Sequence, residues 1–165
     1  MAEGGIMYYI YLIGHFVLAV IWLSSAIYLD FIFLNGFSKA SVETKKNIIK
    51  RIRFLSDKTE MIASFFLPLL GVLMLIDKTF WLKVGMMHIK ITIAFVAIGI
   101  YHASRAVLRK IEIAIDNNTP INKLYNRYIA FRAVILIFLL TTVSMIIIYK
   151  GGVISTIFLI KSWLI

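Results

Sequence analysis

The chain has 165 residues, of which 61% are hydrophobic, and its formal net charge is +10 at pH 7. Soluble domains are nearer half apolar and their apolar runs are interrupted more often, so the composition favours a membrane protein with one domain. The absence of cysteine excludes disulfides, thiolate nucleophiles and cysteine-held zinc or iron–sulfur sites, which leaves histidine, methionine and oxygen as metal ligands.

The first apolar stretch, over residues 7–37, is predicted to be a membrane helix. His15 and Asp30 are its ionisable interruptions apart from tyrosines. The stretch exceeds the ~30 Å hydrocarbon core and is also too long for a signal peptide, so we expect a retained helix whose end tilts or projects. The polar segment that follows, over about residues 38–58, is predicted to be a loop.

Three further membrane helices are predicted over about residues 60–77, 82–110 and 127–150. The helical pattern of the third continues past the membrane until residues 116–120 stop it. The tail, residues 153–165, is too short to span comfortably and is predicted to form an interfacial helix or a partial fifth one. We therefore expect an all-α membrane protein, namely a four-helix transmembrane bundle with a short C-terminal interfacial or fifth helix, in a single domain.

The basic residues predict the orientation of these helices. They concentrate after the first and third helices, and few lie between the second and third. By the positive-inside rule, both basic segments face the cytoplasm and both termini face outward, which suits a multi-pass protein of a bacterial inner membrane. Attraction to anionic lipid headgroups explains the charge. Nucleic acid is not an expected partner, because no basic stripe alternates with exposed aromatic residues.

All three histidines lie in membrane-length stretches, where ionisable side chains are costly and usually functional. The predicted topology puts His15 roughly 12 Å, and His88 roughly 6–10 Å, below the outer end of their helices. Two imidazoles at similar depth on facing helices are what a bis-histidine haem needs. His15 and His88 are therefore the predicted metal ligands.

Other ionisable residues also lie within the predicted membrane helices. His102 lies near the same helical face as His88 but roughly 21 Å further in, so it cannot ligate the same iron. Together with Arg132 and Asp30 it is a candidate for a second polar layer near the cytoplasmic side. Lys90 points to a different face from His88, from which it could reach a porphyrin propionate or a substrate carboxylate.

Simpler alternatives stay open for these residues. A histidine can hydrogen-bond across a helix interface, Lys90 can extend outward to the headgroups, and Trp22 can be a packing residue. The run Met86-Met87-His88 favours copper as an alternative to haem, because thioethers and imidazole suit Cu(I). However, adjacent residues on a helix face different directions, which argues against one shared copper ion.

Several short motifs follow one another along the chain. The first helix carries His15, Trp22 and Tyr28-Leu29, and the third carries Trp81-Leu82, then His88-Ile89-Lys90, then Tyr101-His102. This pattern resembles the HemJ-type bacterial protoporphyrinogen IX oxidases, a family of small four-helix-type membrane proteins that carry haem b. The family's carboxylates before its second helix and at the start of its last helix have no counterpart here.

The resemblance implies that His15 and one of the third-helix histidines hold haem b, with Trp22 also among the cofactor-binding candidates. Lys90 matches the lysine of the family's active-site motif, and we add Arg132 as the second candidate catalytic residue. The implied reaction is oxidation of protoporphyrinogen IX to protoporphyrin IX with electrons passed to quinone. A copper or haem transport protein and an accessory subunit of a respiratory complex are the alternatives, and homo-oligomer formation stays open.

Overall fold

The computed structural model describes residues 3–148, and within that range the chain is helical without β-strands. The elements in chain order are α1 (Glu3–Gly36), α2 (Val42–Lys58), α3 (Glu60–Asp77), a short 3₁₀-helix (Thr79–Lys83), α4 (Gly85–Asp116) and α5 (Asn122–Ile148). Four spans of this range are long and apolar enough to cross a membrane. The predicted all-α membrane fold is confirmed. The predicted C-terminal interfacial or fifth helix at 153–165 lies outside the described residues.

The segment predicted as a loop over residues 38–58 is mostly the helix α2, so that prediction is wrong. Ser41 caps the helix: its hydroxyl oxygen accepts a hydrogen bond from the backbone N–H of Thr44 at 3.2 Å. The buried residues of α2 have helical spacing and are Ile49, Ile52 and Ser56. The many charges of the segment lie on the other faces, so α2 is amphipathic and packs against the bundle.

Helix α4 runs beyond the predicted membrane boundary and ends at Asp116, as the stop signal in residues 116–120 indicates. Asn118 adopts a left-handed backbone conformation with φ of 53°, which asparagine tolerates better than most residues. The N–H of Thr119 then donates to the carbonyl oxygen of Ala114 at 2.8 Å. These contacts use carbonyl groups that the end of the helix would otherwise leave unpaired.

The helices pack as two close pairs, α1 with α3 and α4 with α5, and α1 also contacts α5. Helix α2 lies against α1, α3 and α4. We call the end of the bundle that holds α2 and the α4–α5 turn the basic end. A large apolar core fills this end and joins α1, α2, α4 and α5; its most buried members are Leu29, Phe33, Phe37, Ile49, Ile52 and Ile111.

A second apolar core lies nearer the middle of the bundle. Its members come from α1, α3, α4 and α5 and are Trp22, Ala26, Ala63, Tyr101, Ile135 and Leu139. Large apolar side chains on the outside, such as Phe31, Phe65 and Phe95, are strongly exposed. In a bilayer this surface contacts lipid, so the outer faces need no protein partner. The two cores hold the helices together around the polar groups described below.

Candidate functional site

The buried charges of the described chain meet at Arg132 of α5, which is 5% exposed, and Glu60 of α3, which is 0% exposed. The guanidinium Nε of Arg132 donates to Asp30 Oδ1 at 2.5 Å. Its Nη1 donates to Glu60 Oε2 at 3.1 Å, and its Nη2 donates to the carbonyl oxygen of Ala26 at 3.1 Å. All three guanidinium nitrogens are therefore engaged, which is what a buried arginine requires.

Two further residues extend this arrangement to α2 and α4. The Ser56 hydroxyl donates to Glu60 Oε2 at 2.7 Å and lies 3.1 Å from the Tyr101 hydroxyl, where either oxygen can be the donor. We call Asp30, Ser56, Glu60, Tyr101 and Arg132 the Arg132 cluster. Each of the five α-helices contributes one of its residues. The cluster is therefore the point at which the whole bundle is cross-linked by polar contacts.

The Arg132 cluster is not fully satisfied. Glu60 Oε1 lies 2.9 Å from Arg132 Nη1, within ion-pair distance, yet it is buried without a hydrogen bond of adequate geometry. The indole N–H of Trp22 is likewise buried and has no hydrogen-bond partner. The Trp22 ring packs edge-on against Tyr101, with ring centroids 5.9 Å apart. A buried polar atom without a partner is unusual; a water molecule could supply the missing bond to either group, and a proton could do so only at the carboxyl oxygen.

A cavity of about 260 Å³ adjoins the cluster at the basic end of the bundle. Its wall includes His102, Arg105 and Arg109, and it reaches Ser56. Arg105 forms an ion pair with Asp57 of α2. Ser56 therefore touches both the buried Glu60 and a polar cavity.

His15 lies on α1 at some distance along the chain from this cluster. Its Nδ1 is 2.9 Å from the carbonyl oxygen of Leu67 on α3, and because a carbonyl only accepts, Nδ1 carries the proton. Gly71 faces the ring, and a β-carbon there would be 3.4 Å from His15 Cε1. Lys90 of α4 is close enough to interact electrostatically with His15. The arrangement fixes the ring and leaves Nε2 as its available ligand atom.

The structure brings Asp30 into contact with Arg132 and places Lys90 within electrostatic range of His15, but it gives the other histidines different surroundings. His88 is exposed in the first turn of α4, and its Nε2 donates to the carbonyl oxygen of Leu82 at 2.8 Å. His102 is exposed, contacts the ring of Tyr101 at 5.2 Å between centroids and lines the cavity. Across residues 3–148, no three His, Asp or Glu side chains converge as a metal site.

Sequence reasoning missed Glu60, Ser56 and Tyr101. In the sequence Glu60 is only the first residue of a predicted membrane helix, although an acidic residue at the start of an apolar run is costly to bury without a cation. Arg132 also interrupts an apolar run, so it is the cation that the sequence offers as a partner for Glu60. Ser56 and Tyr101 carry no comparable signal, because their roles depend on how α2 and α4 meet.

No protein-family model matches the chain, and neither a curated protein nor a solved structure matches it. The function must therefore be argued from the sites themselves.

Proposed function

We propose that the protein is a haem b-binding redox protein of a bacterial inner membrane, similar to protoporphyrinogen IX oxidase, in which His15 would hold the haem iron. The reaction proposed with it is oxidation of protoporphyrinogen IX to protoporphyrin IX with electrons to quinone. The observation that carries the proposal is the contact between His15 Nδ1 and the Leu67 carbonyl oxygen at 2.9 Å. Metal-ligating histidines usually make such a bond through the other ring nitrogen, which fixes the tautomer and the ring orientation.

The surroundings of His15 fit one side of a haem. Helices α1 and α3 are both strongly apolar, Gly71 keeps bulk away from the ring, and Lys90 would supply a cation for a tetrapyrrole carboxylate. For His88, the proposed second ligand, Nε2 is bonded to Leu82, so Nδ1 is the nitrogen left to bind iron. Haem would supply the one-electron relay that side chains lack, and the chain would orient it and exclude water.

Absorption spectroscopy of the detergent-purified protein tests the cofactor. We expect a Soret band, with sharp α and β bands after dithionite reduction. The substitution His15→Ala should abolish or shift these bands, whereas His102→Ala, in the cavity at the basic end, should leave them unchanged. Unchanged bands in His15→Ala would refute the ligand assignment. Colourless protein with stoichiometric copper would favour a copper transport protein, and colourless metal-free protein an accessory subunit.

Complementation tests the reaction. A bacterial strain that lacks its own protoporphyrinogen oxidase should grow when it expresses the wild-type chain. Lys90→Met keeps the length of the side chain but removes its charge, so we expect weaker complementation with the haem spectrum retained. If the wild-type chain binds haem but does not complement the strain, the proposed reaction is wrong, and the protein is a haem redox protein that acts on another substrate.

A further inference from the structure

The charges of the Arg132 cluster do not balance. It contains one guanidinium and the two carboxyl groups of Asp30 and Glu60. The titratable and charged groups that face it are Asp30 of α1, Glu60 of α3, Tyr101 and Arg105 of α4, and Tyr128 and Arg132 of α5. Helix α2 contributes Ser56 to the cluster, while its Asp57 pairs with Arg105 and its Arg53 lines the adjoining cavity. Arg105 is already paired with Asp57 and does not add to this balance. If Asp30 and Glu60 are both ionised, Arg132 therefore compensates only one of their two negative charges. The remaining charge is strongly disfavoured inside a membrane bundle.

We propose that the Arg132 cluster is a proton-binding site, which holds one proton on its carboxyl pair at neutral pH and exchanges it with water in the adjoining cavity. The contacts within the cluster show that both carboxyl groups depend on the same guanidinium. Asp30 Oδ1 accepts a 2.5 Å bond from Arg132, and Glu60 Oε2 accepts bonds from Arg132 and Ser56. Glu60 Oε1 is buried and lies 2.9 Å from Arg132 Nη1 without a hydrogen bond of adequate geometry. Two carboxyl groups that share one cation titrate as a coupled pair.

Ser56 provides the route to water. Its hydroxyl donates to Glu60 Oε2 at 2.7 Å, and Ser56 also lines the cavity of about 260 Å³. Liquid water occupies about 30 Å³ per molecule, so this cavity, whose wall includes charged side chains, has room for several. On uptake, Ser56 Oγ takes a proton from a hydronium ion in the cavity as its own hydroxyl proton passes to Glu60 Oε2, the oxygen to which it is bonded. The hydronium ion becomes water and the Ser56 hydroxyl is regenerated, so the net change is one proton added to the carboxyl pair.

Infrared spectroscopy of the full chain in lipid vesicles tests the proton count. At neutral pH the wild-type protein should show the carbonyl band of one protonated carboxylic acid per chain, and this band should shift in D₂O. Glu60→Gln and Asp30→Asn should each remove it, since either leaves one carboxylate for one guanidinium. Arg132→Gln should raise the count to two. Glu43→Gln, at an exposed carboxylate of α2, is the matched control and should change nothing.

Absence of the band in wild-type protein, or its persistence in either Glu60→Gln or Asp30→Asn, would overturn the proposal. Both substitutions keep the side-chain shape, and the far-ultraviolet circular dichroism of each variant reports whether the helices are retained. The wild-type spectrum decides the question even if a variant does not fold. The measurement needs no haem, so its outcome is separate from that of the proposed function.

The rate of exchange tests the route. After transfer into D₂O, the carboxylic acid band of Ser56→Ala should shift at least tenfold more slowly than that of the wild-type protein. Ser64→Ala is the control, because Ser64 is as buried as Ser56 but bonds only to the carbonyl oxygen of Met61. An exchange rate in Ser56→Ala equal to that of the wild-type protein would refute the route through this hydroxyl.

Discussion

Removal of the Arg132 charge is the most informative perturbation of stability. Arg132 is 5% exposed and donates to Asp30, Glu60 and the Ala26 carbonyl. Breaking a buried ion pair by removing one partner typically costs about 3–5 kcal/mol, because the remaining charge is either left uncompensated or neutralised by uptake of a proton. For Arg132→Gln we expect a loss in this range, since two carboxyl groups and one carbonyl lose their donor together. Unfolding by a denaturing detergent titrated into mixed micelles, followed by circular dichroism, measures the free energy of unfolding.

Two comparisons make this prediction specific. Lys123→Gln removes an exposed cation from the same helix, and surface substitutions usually change stability by less than about 0.5 kcal/mol. In the triple variant Asp30→Asn, Glu60→Gln and Arg132→Gln no buried charge is left alone, so it should be more stable than Arg132→Gln by itself. A loss for Arg132→Gln as small as that for Lys123→Gln would refute the view that this cluster holds the bundle together.

Three further predictions concern single side chains. Gly71→Leu should displace the His15 ring and shift the haem spectrum, because even a β-carbon at Gly71 would contact Cε1 at 3.4 Å; an unchanged spectrum would contradict this. Trp22→Phe should cost less than about 1.5 kcal/mol, because the indole N–H has no partner to lose, while Trp22→Ala should cost about 3–5 kcal/mol in the same unfolding assay. Ser41→Ala should reduce stability by about 1 kcal/mol through loss of the cap to Thr44, and equal stability would show that the cap contributes nothing.

Much of the fold could be predicted because apolar length alone identifies membrane spans. The end of α4 was also readable, since the residues after Asp116 are poor helix formers and one of them takes a positive φ. Helix α2 was not predicted. Its charge density resembles that of a loop, and only the spacing of Ile49, Ile52 and Ser56 reveals a buried face.

The sites were predictable only in part. The sequence gives the depth of a residue along its helix, but it does not give which helices lie next to each other. Asp30 and Arg132 were expected in one layer, since both interrupt apolar runs near the same membrane side, and they are in contact. Whether His15 and His88 act together stays a prediction. The partner of His15, the Leu67 carbonyl, is a backbone group, so no residue type could have indicated it.

The contribution of one residue from every helix to the Arg132 cluster has a consequence for biogenesis. Of Asp30, Glu60 and Arg132, the ribosome makes Arg132 last, 102 residues after Asp30 and 72 residues after Glu60. The cluster can therefore close only after α5 has joined the bundle. A chain truncated before α5 keeps both acids and lacks the guanidinium that bonds to them, so we expect it to assemble poorly.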